Sequence, residues 1–240
     1  MSTVGNWRGP NIVKDGLVLY LDAGSPNSYI NGVSGTSWKD ISGNGYNGVL
    51  TNGPTYNTAN GGSIVFDGTN DYTNLGTALN FSNYNTSGFT ISFWVKLNNT
   101  SQFNKYLFSK LTNAGNDNQF SIVYGYVANT YELYGGVGGV GANQTIRTNS
   151  QIIVNDTNWH NLTYSVGVTT TGYLDGVVKF TNNYASLTYT TSTNNSYLTT
   201  FATASAFLNS NVATMQLYNR TLSSQEILQN FNATRSRFGV

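Results

Sequence analysis

The nine residues Phe89–Leu97, FTISFWVKL, alternate without a break: Phe89, Ile91, Phe93, Val95 and Leu97 fall on one side of an extended chain, and Thr90, Ser92, Trp94 and Lys96 on the other. A period of two over this length makes a strand with one face in a core. Shorter runs of the same kind recur at 16–22 (GLVLYLD), 62–67 (GSIVFD), 106–110, 119–126, 131–135, 159–166, 172–174, 177–180 and 212–218. Asn and Gly fill the gaps, as in SGNGYNG at 42–48, and Asp175-Gly176 between Leu174 and Val177 marks a two-residue hairpin. About a dozen short strands in one chain require two packed sheets.

One segment breaks the pattern. Ser223 followed by Glu226 reads as a capping box, with Leu222 and Ile227 placed to form a hydrophobic staple. Leu228 and Phe231 extend an apolar stripe, so a short helix is expected over about 224–232, packed against a sheet edge. Residues 1–15, with Trp7, Arg8 and Pro10, show no periodicity and read as an extended arm that would order on a partner. A frayed terminus would look the same. Residues 16–240 form the expected single sandwich domain.

Composition closes off several function classes. The 240 residues are 39% hydrophobic and 14% aromatic, enough for a substantial core. Only 9% are charged and the net charge is +1, with no basic run beyond the Arg235 and Arg237 pair, so nucleic acid is not an expected partner. There is no cysteine for a disulfide framework or a thiolate zinc site. No apolar run has the length of a membrane span, and the start MSTVGNWRGPN lacks the basic and apolar segments of a signal peptide. No membrane partner or export is therefore expected.

Taken in order, GLVLYLDAG, WKDISGNG (38–45), SIVFDGTNDY (63–72), FTISFWVKL, WHNLTY (159–164), YLDG (173–176) and LYNRTLSSQEI (217–227) resemble the laminin G-like branch of the concanavalin A-like lectin/glucanase superfamily. The resemblance implies an all-β jelly-roll sandwich of two antiparallel sheets with one short C-terminal helix. More narrowly, GPNIV, GVLTNGP (48–54) and NATRSRFG resemble the form of this domain found in tailed-phage virion proteins.

Catalysis has little to stand on. A retaining glycosidase needs two carboxylates about 5 Å apart, and related glucanases carry a Glu-x-Asp-x-x-Glu type strand. This chain has two glutamates, Glu226 in the helix cap and Glu132 in YELY with no acidic residue two positions away. The single histidine, His160, has no nearby serine or cysteine in a nucleophile context and reads as an inward or rim residue bonded to backbone. The run GGVGGVG at 135–141 lacks the helix and Gly-Lys-Ser/Thr ending of a phosphate loop.

Around that run, Tyr124, Tyr126, Tyr131 and Tyr134 bracket a Gly- and Asn-rich loop, a surface suited to a sugar or a protein. Tyrosines also simply pack well on pleated sheets, and the residues leave both readings open. Trp94 is similarly an outer-surface residue or one covered by a neighbouring subunit. Asp67, Asn70 and Asp71 in FDGTNDY offer oxygen ligands for calcium, with Asp22 and Asp40 candidates to converge on them, or else are turn chemistry after a strand. No cofactor is required.

The resemblance thus implies a non-enzymatic virion surface protein of a tailed phage, a capsid decoration or fibre component with a cell-surface glycan as a candidate contact. Its expected partners are other virion proteins, with a homo-oligomer as a candidate form, and its expected place is the virion after synthesis in the host cytoplasm. The alternative is a free carbohydrate-binding module or lectin, with calcium as a candidate cofactor.

Overall fold

The structure is a computed structural model that describes residues 11–31, 33–110, 120–135, 150–184, 189, 191–201 and 205–240. Its strands are β1 (Leu17–Asp22), β2 (Ser37–Trp38), β3 (Gly48–Thr51), β4 (Thr55–Asn57), β5 (Ser63–Asp67), β6 (Tyr72–Asn74), β7 (Phe89–Leu97) and β8 (Lys105–Lys110). They continue with β9 (Phe120–Tyr124), β10 (Thr130–Gly135), β11 (Ile152–Ile153), β12 (Trp159–Val166), β13 (Thr169–Leu174), β14 (Val177–Asn183), β15 (Tyr197–Leu198) and β16 (Asn209–Tyr218). A helix, α1 (Ser224–Thr234), follows.

The strands form two antiparallel sheets. One runs β14-β13-β12-β7-β16-β5-β4, with β1 paired beside β5 along β16; the other runs β11-β10-β9-β8-β15-β6-β3-β2. The two packed sheets expected from the residue pattern, and the jelly-roll sandwich implied by the resemblance, are therefore the architecture found. The alternation in β7 decides the layering: Phe89, Ile91, Phe93, Val95 and Leu97 all enter the core between the sheets, meeting Phe108, Phe120, Ile122 and Leu133 from the opposite layer. Phe81 and Phe89 pack edge to face at 4.8 Å, and burying such an aromatic contributes about 1.5–3 kcal/mol. The hairpin at Asp175-Gly176 has both residues at positive φ, 54° and 74°, as a right-twisted two-residue turn requires.

The helix starts where its signals place it. Ser223 Oγ accepts from the Glu226 N–H at 3.3 Å, the Glu226 carboxylate accepts from the Ser223 N–H at 2.9 Å, and Leu222 and Ile227 share one apolar cluster. Its position corrects the expectation of an edge contact. Phe231 and Phe238 lie instead on the outer face of the first sheet, over Trp94, Trp159 and Ala213 from its central strands. Trp94 points away from the core by parity, and the chain covers it itself: the indole N–H donates to Thr234 Oγ1 at 2.8 Å. The polar residues of that face pair beneath the cover, as in Ser92 with Thr163 at 2.6 Å, which removes the cost of burying them.

The first sheet's β1 edge is also closed by side chains. Asp40 Oδ1 accepts from the Tyr20 N–H at 2.9 Å, while Ser42 Oγ and Asn44 Nδ2 donate to the Val18 carbonyl at 2.8 and 2.9 Å. The Gly- and Asn-rich 42–48 segment therefore acts as an edge cover rather than a hairpin.

Candidate functional site

At one end of the sandwich, the loop between β7 and β8 meets the turn between β9 and β10. Phe103 from the loop and Tyr126 from the turn stack with ring centroids 6.3 Å apart and planes within 24°. Both rings are open to solvent, Phe103 at 68% and Tyr126 at 46%, and Val127 beside them is 44% exposed. Ile153, also exposed, stands opposite Thr130 on the neighbouring strand. Exposed rings held nearly parallel form an apolar platform, with the Tyr126 hydroxyl as its polar atom.

The platform is held in place from below. Gly125 has φ 79°, and a Cβ there would collide with the Gln102 carbonyl, so only glycine lets the turn approach the loop this closely. Glu132, almost fully buried, accepts from the Val127 N–H at 2.8 Å and from Thr130 Oγ1 at 2.7 Å, which clasps the turn behind Tyr126 and Val127. Gln102 anchors the loop: its side-chain oxygen accepts from the Asn209 N–H at 2.7 Å and its amide donates to the Asn209 carbonyl at 3.0 Å. Glu132 thus has a structural task, and its carboxylate is occupied by the turn.

Of the tyrosines expected to form a contact surface, Tyr126 alone is shown to be exposed. Tyr124 and Tyr131 are core residues, corrected by parity: they lie on the inward row with Ile122 and Leu133. Their rings pack at 4.8 Å, and Tyr124 Oη donates to the Val154 carbonyl at 3.0 Å. Burial pushes the Tyr124 phenol up to about 12 and the Tyr131 phenol well above its ordinary value. The backbone of Tyr134 belongs to β10, but its side chain and the 136–141 part of the glycine-rich run lie outside the described residues. Phe103 was not singled out by the sequence reading. The available signal was a lone aromatic inside the polar run NNTSQFNK.

The acidic turn after β5 is arranged as a turn. Asp67 Oδ1 accepts from the Thr69 N–H at 2.7 Å, which holds its carboxyl below the usual range, and Gly68 takes φ 78°. Asp71 is buried and faces the Asp67 N–H at 3.3 Å; desolvation raises its carboxyl. The Asn70 carbonyl accepts from Asn52 Nδ2 at 2.9 Å. Asp22 and Asp40 are committed elsewhere, Asp22 to Arg237 at 2.7 Å and Asp40 to the β1 edge. Among the described residues no group of three His, Cys, Asp or Glu side chains converges to hold a metal.

His160 departs from its expected backbone partner. Nδ1 lies 2.7 Å from Asp175 Oδ2 and Nε2 lies 3.0 Å from Asp156 Oδ1, so the imidazole bridges two carboxylates. Its pKa is raised, first by the Asp175 hydrogen bond and then by Asp156, against the opposing effect of burial. Trp7, Arg8 and Pro10 of the expected arm lie outside the described residues. The residues just after them are fastened: the Val13 N–H donates to Asn230 Oδ1 at 2.8 Å, and the Val13 carbonyl accepts from Tyr218 Oη at 3.1 Å.

Known structures share this architecture. The binding domain of botulinum neurotoxin DC in complex with SialylT superposes with a TM-score of 0.69 at 13% identity, over 92% of this chain and 52% of that one. Domain 4 of AbnA, a GH43 extracellular arabinanase from Geobacillus stearothermophilus, in complex with arabinotriose, gives 0.64 at 16% identity over 90% of this chain and 98% of that one. A mutant Trypanosoma rangeli sialidase displaying trans-sialidase activity gives 0.63 at 15% identity over 94% and 34%. The chain spans about half the length of the neurotoxin binding domains it matches (52%, 52% and 51%). No curated protein sequence matches it. A family model described as the concanavalin A-like lectin/glucanases superfamily matches residues 67–228, and to that superfamily this chain belongs.

Proposed function

We propose that this chain is a non-catalytic surface protein of a tailed-phage virion, a capsid decoration or fibre component, that binds a cell-surface glycan through the Phe103–Tyr126 platform. The observation that carries the binding part is the stacked, exposed ring pair on a clasped turn. Such rings present a preformed apolar surface to the C–H face of a sugar, with the Tyr126 hydroxyl as the polar atom of the pair and little side-chain entropy to lose. Supporting it are the neighbours described in complex with SialylT and with arabinotriose. The virion part is supported by the order of motifs in the sequence. On this reading the protein is made in the host cytoplasm, resides in the virion and meets other virion proteins, with Trp7, Arg8 and Pro10 as the attachment segment and a homo-oligomer as its assembled form.

Two measurements test the two parts separately. A glycan array probed with the chain and with the Phe103→Ala/Tyr126→Ala double variant tests binding: specific signals lost in the variant support it, and signals unchanged in the variant overturn the platform. Mass spectrometry of purified phage particles tests location, and absence of the chain from the particles overturns the virion part.

The second reading is a free carbohydrate-binding module, favoured by the match to a sugar-complexed domain of nearly the same extent, 98% of which is covered. It includes calcium at Asp67, Asn70 and Asp71. A rise in Tm on adding calcium that disappears in Asp71→Ala supports that metal; the same Tm with and without calcium removes it.

A further inference from the structure

His160 stands at the start of β12 with a carboxylate on each ring nitrogen, Asp175 on Nδ1 and Asp156 on Nε2. Only the protonated ring carries two N–H groups and can donate to both. The neutral ring donates to one carboxylate and turns a lone pair toward the other. We infer that this bridge is a pH-sensitive strap, closed by the imidazolium and opened by its loss, that sets how firmly the turn bearing Tyr126 is held.

The two carboxylates are not equivalent. Asp175 is fixed independently of the ring: its Oδ1 accepts from the Asn161 N–H at 2.8 Å, and its own N–H donates to the Asn161 carbonyl at 2.9 Å. Asp156 is otherwise bonded within its own loop, to the Asn158 N–H at 2.8 Å, and its side chain is 43% exposed against 29% for Asp175. When the ring loses its second proton, Nδ1–H therefore stays on Asp175. Asp156 is the partner released.

That release reaches the platform through Val154. Its N–H donates to the Asn129 carbonyl at 2.8 Å, and its carbonyl accepts from Tyr124 Oη at 3.0 Å. Asn129, at φ 61°, closes the turn that carries Tyr126 and Val127, and Ile153 pairs with Thr130 on the next strand. A loop pinned through Asp156 keeps these bonds made. Once unpinned, the same loop opens more often and loosens the turn.

The surroundings of the ring set the sign. On β7, Val95 stands opposite His160, while Lys96 stands opposite Trp159 and lies on the other face. The β13–β14 hairpin presents Asp175, and the loop before β12 presents Asp156. From the second sheet, the Tyr124 phenol feels Asp156, but burial pushes it up to about 12, so it stays protonated while the imidazole titrates. The Asp175 hydrogen bond, and after it Asp156, raise the His160 pKa against the effect of burial. The strap is therefore closed below the folded midpoint and opens as pH rises through it. This behaviour belongs to the free chain and stands whatever the platform binds.

The test is a carbon-detected NMR titration of the full chain from about pH 6 to about pH 9, with hydrogen exchange of the Val154 amide corrected for its intrinsic rate. The Asn129 and Val127 carbonyl shifts are expected to follow the His160 imidazole midpoint. Protection of the Val154 amide should fall about tenfold across it, the equivalent of one pKa unit. In Asp156→Asn the side-chain amide donates to the unprotonated Nε2, so the imidazole still titrates while the turn shifts and the Val154 protection stay constant. His160→Gln, which has no titrating group there, should be equally flat. An imidazole that titrates with no response in the turn overturns the inference, as does a turn response that persists unchanged in either variant.

Discussion

The ring of Phe238 lies flat on the indole of Trp94, with centroids 4.0 Å apart and planes within 17°. Phe231 stacks on the same indole at 5.8 Å, and Trp159 meets Phe238 at 5.0 Å, so the segment after β16 seals the outer face of a central strand. Truncating Phe238 to alanine should cost about 3 kcal/mol in urea unfolding, as for other buried aromatics, and should red-shift Trp94 emission by admitting water.

Arg237 fastens the same segment to the end of the chain's first strand. Its guanidinium meets Asp22 Oδ1 at 2.7 Å and donates to the carbonyls of Asn60 and Gly62, a fork that an ammonium group cannot reproduce. Arg237→Ala should lower stability by about 2 kcal/mol, in the range of lost hydrogen bonds to charged groups. Arg237→Lys should recover only part of it in the same denaturation series.

The platform and the buried tyrosines behind it should respond oppositely to mutation. Phe103→Ala and Tyr126→Ala remove exposed rings and should change stability by no more than about 0.5 kcal/mol while abolishing glycan signals. Tyr131→Phe removes a buried hydroxyl that has no hydrogen-bond partner among the described residues and should leave stability unchanged or raise it by about 1 kcal/mol. Tyr131→Ala leaves a cavity and should destabilise by several times that. Urea midpoints distinguish the three.

His160 should titrate above its ordinary value of about 6.5, because Asp175 and Asp156 both stabilise the imidazolium. A folded pKa above the unfolded one means the stabilisation is full below about pH 6.5 and is lost as pH rises through the folded midpoint. The single histidine makes the NMR titration unambiguous. Asp175→Asn should lower the midpoint, and the stability gap between the native chain and His160→Gln should narrow on moving from pH 6 to pH 9.

Residues that act through local rules were legible from the chain alone. The β7 alternation placed its five inward side chains correctly, the capping box located the helix start, and Asp175-Gly176 gave the hairpin, because each depends on neighbours within a few positions. The candidate site was only partly legible. Tyr126 lay within the region expected to make contacts, but Tyr124 and Tyr131 share the inward parity of their strands, and Phe103 sits in a loop with no periodicity to read.

The sequence by itself determined the number of layers and the inward face of the main strands, since both follow from residue type and short-range spacing. Tertiary structure decided what covers each face. Trp94 and Phe238 are far apart in sequence, as are Phe103 and Tyr126 on different loops, and nothing in either local segment encodes its partner. Only the closing of both sheets brings those pairs together, burying one to complete the fold and leaving the other open to solvent.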